Sequence, residues 1–489
     1  MAKTQSLDAN GKPYNRGLLL ATVIIGTFAT VLTQTLLATA YPTLMDAFDI
    51  STATVQWLTT GFLLVNGIMI PISAWLINRF NSKYLYISAM VIFFIGTWIC
   101  WQAPNFAMLL TGRLVEAVGV GLSMPLMQTI ALSIFPPQQR GAAMGGVGLA
   151  IGLAPAIGPT LSGWVIDTYN WRVLFSMILP IAGIVIIASF FTMRKVLETS
   201  KPSLDILSAV LSTIGFGSLL YGFSEVGTEG WGSSIVIIGI AVGVVFVALF
   251  AWRQLKMANP FLELHVFQTP AFTLATILSG VVNMAMVGAE MVLPMYIQTV
   301  RGESAFHSGL TLLPGAIMIG IMSPITGRIF DRLGARYLAI TGMTLLTIGT
   351  IPFIFLTKST PMINLIILYA IRMFGIAMVM MPVTTAGMNA LPLHLISHGT
   401  AVNNTLRQVA SSVGTAILIS VLTNVTNNQM PGKHVLHNLP LQYKDQAMSA
   451  VVSGYKAAFI VAALFCAIGL FVTFFVHDKK APSVTGGDK

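Results

Sequence analysis

The sequence predicts an all-α membrane protein of fourteen spans, built as two six-helix bundles with two further helices inserted between them. Three observations carry this expectation. Hydrophobic residues make up 55% of the 489-residue chain and charged residues 9%, whereas soluble domains carry about a quarter charged residues. Apolar runs of roughly 20 residues, enough to cross about 30 Å of hydrocarbon, recur from end to end. One short signature also occurs twice: Ala74-Trp75-Leu76-Ile77-Asn78-Arg79-Phe80-Asn81-Ser82-Lys83 and Gly327-Arg328-Ile329-Phe330-Asp331-Arg332-Leu333-Gly334-Ala335-Arg336, which places Arg79 and Arg332 253 positions apart.

The apolar runs fall near 17–42, 53–77, 84–101, 106–132, 141–166, 172–193, 205–223, 232–252, 271–298, 306–327, 337–357, 361–388, 399–425 and 455–476. Gly215, Gly217 and Gly222 thin the seventh. Arg113 and Arg372, both inside apolar runs, stand 259 apart and repeat the period. An offset of about 254 carries the start of the first run, near Gly17, onto the start of the ninth, near Ala271. Six runs on each side of the offset predict an N-terminal bundle over 1–200, an inserted pair over 201–260 and a C-terminal bundle over 261–480. Residues 481–489 are expected to form a cytoplasmic tail, and 426–454 an outer loop with a short helix around Lys444–Val452.

The formal charge of +10 does not indicate nucleic acid, because the charge is sorted by side. With the N-terminus inside, most of the 26 Lys and Arg residues fall in cytoplasmic segments, among them Arg16, Arg79, Lys83, Arg140, Arg194, Lys195, Arg253, Arg328, Arg332 and Arg336. That asymmetry is the positive-inside rule, and it places both termini in the cytoplasm. The first apolar run is too long for a cleavable signal. Cys100 and Cys466 both lie in apolar runs and read as packed small side chains.

Ionisable groups inside a bilayer are costly and usually functional. Five stand in the predicted spans: Arg113, Glu116, Glu290, Arg372 and Arg407. Arg113 and Glu116 are three apart, share a helix face and can pair. A carboxyl balanced between burial and a nearby cation can exchange a proton when helix motion alters its surroundings, so Arg113, Glu116 and Glu290 are the candidates for proton coupling. The expected substrate cavity draws on Gln34, Asn66, Met127, Met286, Glu290, Tyr369, Arg372 and Arg407. Methionine, present 26 times, suits a surface that adapts to many shapes. At the second hinge, Gly327 permits close helix approach, Gly334 the turn, and Asp331 and Arg332 supply charges able to hold one side shut. Arg79 marks the first hinge, where Asn78 stands in the position of the acid. In the fifth run, Pro155 and Pro159 each remove a backbone donor, while Gly152, Gly158 and Gly163 allow another helix to pack tightly.

The hinge motif resembles the inter-helix loop motif of the major facilitator superfamily. Ala154-Pro155-Ala156-Ile157-Gly158-Pro159-Thr160-Leu161-Ser162-Gly163 is close to the Gly-Pro-x-x-x-Gly pattern of its proton antiporters. With fourteen runs, the chain resembles the EmrB/QacA type of drug:proton antiporter. The resemblance implies a major facilitator fold in a bacterial cytoplasmic membrane, exporting lipophilic or cationic small molecules in exchange for protons. It implies no cofactor beyond the proton gradient and a monomer in the bilayer. One departure shifts weight to Glu116 and Glu290: where family members often carry an acid in the first span, this chain has Thr33 and Gln34. An exporter or flippase for a dedicated lipid or metabolite, or a membrane sensor that does not transport, are the other readings. Enzymatic chemistry is not expected, and no Gly-x-x-x-x-Gly-Lys-Ser/Thr phosphate loop occurs.

Overall fold

The computed structural model describes residues 6–7, 11–37, 40–200, 203–432 and 440–476. Among them, fourteen helical segments are long and apolar enough to cross a membrane. They are built on α1 (Arg16–Leu36), α2 (Thr52–Arg79), α3 (Ser82–Gln102), α4 (Phe106–Ile134), α5 (Arg140–Thr168), α6 (Ile178–Thr192) and α7 (Ile206–Glu229), followed by α8 (Ser234–Lys256), α9 (Pro270–Thr299), α10 (Ala305–Leu333), α11 (Arg336–Thr350), α12 (Met362–Asn389), α13 (Ile396–Gln429) and α14 (Pro440–Thr473). The single turn Val173–Ser176 leads into α6, and a 3-10 stretch, Ile351–Phe355, extends α11. Before α1, Ser6–Leu7 pairs antiparallel with Pro13–Tyr14.

Polar residues at the predicted breaks start the helices by accepting from orphan backbone N–H groups. Asn15 caps Leu18 N at 3.1 Å, Asn105 caps Met108 N at 2.9 Å and Ser304 caps His307 N at 3.1 Å. The two hinges turn differently. Gly334 ends α10 at φ 85°, a left-handed backbone that glycine adopts without penalty. Asn81 in the first hinge stays extended and instead caps α3 through Lys83 N at 3.0 Å.

The expected outer loop is shorter than the sequence indicated. α13 continues to Gln429 and α14 begins at Pro440, so the helix expected around Lys444–Val452 is the first part of a spanning helix. Proline fits the first helical turn, where its missing N–H has no intrahelical partner, and the helix-forming run Gln446-Ala447-Met448 carries the helix onward. The 481–489 tail lies outside the described residues.

α1–α6 and α9–α14 form the two bundles, and α7 and α8 pack mainly on each other. Two of the glycines that thin the seventh run mark backbone contact: a Cβ on Gly222 would stand 2.8 Å from Ile240 N, and one on Gly215 2.9 Å from Val247 N. The pair touches both bundles. Tyr221 stacks on Trp57 of α2 with ring centroids 5.8 Å apart, and Trp231 Nε1 donates to Ser420 Oγ of α13 at 2.7 Å. At its base Arg253 grips Asp205 with two bonds of 2.8 and 2.9 Å. The other face of α8 presents Ile237, Val244, Val245 and Trp252 outward, a surface suited to lipid.

Candidate functional site

The two bundles meet along α5 and α10, which stay in contact over their whole length. Small residues make this possible. A Cβ on Gly145 would lie 2.5 Å from Ser323 O, one on Gly152 2.6 Å from Ile319 Cδ1, and one on Gly309 2.6 Å from Thr160 Oγ1. Near the far end Gly163 faces Phe306. Gly158 turns the other way, its bare face pressed on the Thr35 hydroxyl of α1. The glycines of the fifth span therefore serve two neighbouring helices rather than one, and α5 runs unbroken through Pro155 and Pro159.

At the hinge-bearing end, a Cβ on either Gly141 or Gly327 would collide with the other's carbonyl oxygen. This contact brings the Asp331 carboxylate onto the start of α5. Oδ1 accepts from Gly141 N and Oδ2 from Ala142 N, each at 2.8 Å. A carboxylate is favoured there twice over, by unsatisfied N–H groups and by the positive end of the helix dipole. Arg332 does not join the clasp; it is exposed, with no hydrogen bond or ion pair to a described residue.

The first hinge makes the matching contact in the other direction. Asn78, at the end of α2, receives Ser397 Oγ at 2.8 Å and lies 2.9 Å from His398 Nε2, both in the first turn of α13. His398 Nδ1 in turn accepts from Glu263 N at 3.1 Å. Arg140 Nη1 adds a 2.8 Å bond to Asn389 Oδ1 at the end of α12. Sequence reasoning missed these partners. The available signal was the period itself: Asn78 lies 253 before Asp331, and each contacts the start of the equivalent helix in the opposite bundle.

The buried charges obey the same repeat. Arg113 and Glu116 are both 0% exposed and paired at 2.6 Å. Arg113 Nη1 also donates to Thr33 O of α1 at 3.3 Å, and its guanidinium lies 4.2 Å over the Phe62 ring. Arg372 donates to Ala285 O of α9 at 2.9 Å and to the Thr350 hydroxyl. Glu290 is half-buried and within electrostatic reach of Arg372 and Tyr369. Arg113 Nη2 is enclosed without a hydrogen-bond partner, and Thr97 adjoins the Glu116 carboxyl.

A family model described as Major Facilitator Superfamily matches residues 23–415. The chain belongs to the major facilitator superfamily. It is 49% identical over 472 residues to the uncharacterized MFS-type transporter YcnB of Bacillus subtilis, covering 96% of this chain and 97% of that one. It is 40% identical over 466 residues to the lincomycin resistance protein LmrB of the same organism, covering 94% and 96%. Among solved structures, the human organic anion transporter MFSD10 superposes with a TM-score of 0.66 at 14% identity, covering 94% of this chain and all of that one. That likeness concerns the fold. The protein is a multi-pass membrane transporter, not an enzyme.

Within this facilitator the expected cavity residues occupy several levels. Met127, Met286, Tyr369 and Arg372 are enclosed by protein, and Gln34 is half-buried. Asn66 packs on Gly121 within the first bundle, and Tyr369 on Gly315 within the second. A polar bridge joins the bundles at Gln128, the residue after Met127, where Asn404 Nδ2 donates to Gln128 Oε1 at 2.7 Å. Arg407, one turn further along α13, is 7% exposed; its Nη2 touches Met380 Sδ at 4.0 Å. No three or more His, Cys, Asp or Glu residues cluster as a metal site among the described residues.

Proposed function

We propose that this chain is a proton-coupled exporter of amphipathic or lipophilic compounds, working by alternating access in a bacterial cytoplasmic membrane. Both termini and both hinges lie in the cytoplasm, and no cofactor other than the proton gradient is needed. The observation that carries the reading is the fully buried Arg113–Glu116 pair, with one guanidinium nitrogen left unpartnered. Burying an incompletely satisfied ion pair costs several kcal/mol, and that cost is understandable where the carboxyl takes up and releases a proton.

Three supports stand beside it. LmrB is named for lincomycin resistance, which fits export of a small amphipathic compound. The Asp331 and Asn78 contacts join opposite bundles at one end, so breaking and remaking them is a route to alternating access. Glu290 belongs to the other bundle near Arg372 and supplies a second carboxyl for proton or substrate. Lipophilic substrates would meet Met127, Met286 and the polar bridge at Gln128 as the halves part. The reading is tested by imposing a pH gradient on proteoliposomes and following export of a lipophilic probe in wild type and in Glu116→Gln.

A further inference from the structure

Arg407 is the one ionisable group of the predicted spans that the mechanism above leaves unused. It is 7% exposed, and its Nε and Nη1 have no hydrogen-bond partner. Its remaining side-chain contact is the soft Met380 sulfur at 4.0 Å. The other buried cations are engaged: Arg113 with Glu116, and Arg372 with Thr350 and Ala285 O, in reach of Glu290. Among the described residues no acid forms an ion pair with Arg407. Glu290 lies at another level, because Asn283, whose amide holds Arg407 O at 2.9 Å, precedes it by two turns, about 10 Å along α9.

The surroundings share one polarity. Asn404, three residues before Arg407 and on the same face, fixes the oxygen of Gln128 and leaves its Nε2 enclosed without a partner. The orphan donors of Arg407 and Gln128 are therefore linked through one turn of α13, with Met380 against Arg407. A lone guanidinium in a low-dielectric interior is costly, and its planar fork fits carboxylate, sulfonate and phosphate oxygens.

We infer that Arg407 and Gln128 form the head-group subsite of the transport site, and that its ligand is an amphiphile with one anionic group on an apolar body. This rests on the export reading above and narrows its substrate class. Met380 contacts the apolar body, Arg407 neutralises the head, and Gln128 adds a donor from the opposite bundle. Because the ligand then touches both bundles, its binding is linked to how they sit together.

The test compares two probes that share an aromatic body, 8-anilinonaphthalene-1-sulfonate and N-phenyl-1-naphthylamine, which lacks the sulfonate. Each is titrated by fluorescence into the full chain in phosphatidylcholine nanodiscs, with empty discs subtracted. Wild type should bind the sulfonate at least about tenfold more tightly. Arg407→Gln should bring the affinity ratio to about one with the uncharged probe unaffected, and Arg407→Lys should keep part of the preference. A ratio within one preparation is insensitive to the fraction folded, and Gln128→Leu gives a second variant, expected to reduce it. Equal wild-type affinities, an unchanged ratio in Arg407→Gln, or tighter binding of ethidium than of the sulfonate would overturn the inference. Repeating the titration in phosphatidylglycerol discs separates sources: Arg407-dependent competition identifies a lipid head group, and its absence a soluble amphiphile. Sulfonate preference without gradient-driven export would remove the proposed function and leave this subsite; gradient-driven export of ethidium without that preference would do the reverse.

Discussion

Asp331, at the end of α10, caps the backbone of Gly141, at the start of α5, so a carboxylate of one bundle closes the helix terminus of the other. A hydrogen bond to a charged group contributes about 1.5–3 kcal/mol, and roughly 1.4 kcal/mol shifts an equilibrium tenfold. Asp331→Asn keeps one acceptor but turns an amide N–H toward Ala142 N. The hinge-bearing end should therefore open about tenfold more often, and flux should slow while insertion into the membrane is unchanged. Spin-label distances across the hinge-bearing ends of α5 and α10 measure this. An unchanged distance distribution with unchanged flux would remove the gating role.

The approach of Gly327 to Gly141 is a separate requirement. Gly327→Ala should force the hinge-bearing ends apart, because its Cβ would meet a backbone carbonyl that cannot move aside. Gly320 is two turns away on the same helix, and a Cβ there would meet Leu153 Cδ1 at 3.4 Å, an ordinary contact. Gly320→Ala should therefore be close to wild type in thermal stability and transport, whereas Gly327→Ala is impaired in transport. Similar behaviour of the two variants would contradict the packing argument.

The inserted pair offers a pH test outside the spans. The Arg253 hydrogen bonds hold the Asp205 carboxyl below its ordinary pKa, with Ser208 assisting and burial opposing. A depressed folded pKa gives stability that is present above the unfolded value, about 3.9, and lost as pH falls through the folded one. Amide exchange at the bases of α7 and α8, measured relative to the intrinsic rate at each pH, should stay slow from pH 8 to 5 and quicken only in stronger acid. In Asp205→Asn it should already be faster at pH 7. Quickening of the wild type between pH 7 and 6 would contradict this assignment.

Much of this architecture is legible as repetition. Arg113 and Arg372 stand 259 apart in sequence, and each reaches a backbone carbonyl of the first helix of its own bundle, Thr33 O and Ala285 O. Thr350, which holds Arg372, lies 253 beyond Thr97, which adjoins Glu116. A period of this kind survives in the letters because both copies solve the same packing problem. The partners of Asn78 do not show, because a Ser-His pair at a helix start carries no signal until the opposite bundle is folded against it. The roles of Asp331 and Arg332 also differ in a way that charge alone does not reveal: adjacent helical residues point about 100° apart, so one faces α5 and the other solvent. The length of α14 was underestimated because its first turns are polar, and hydropathy marks membrane depth rather than where a helix begins.

The most direct test of the central claim is uphill export from proteoliposomes under an imposed pH gradient, comparing wild type, Glu116→Gln and Glu290→Gln. The account predicts that wild type exports a lipophilic probe against its gradient. It further predicts that Glu116→Gln loses uphill export and keeps downhill exchange, because the neutral amide imitates the protonated acid beside Arg113. Loss of coupling in Glu290→Gln alone would move the proton site to α9. Intact gradient-driven export in both variants, or none in wild type, would contradict the claim that a buried carboxyl of this chain couples protons to transport.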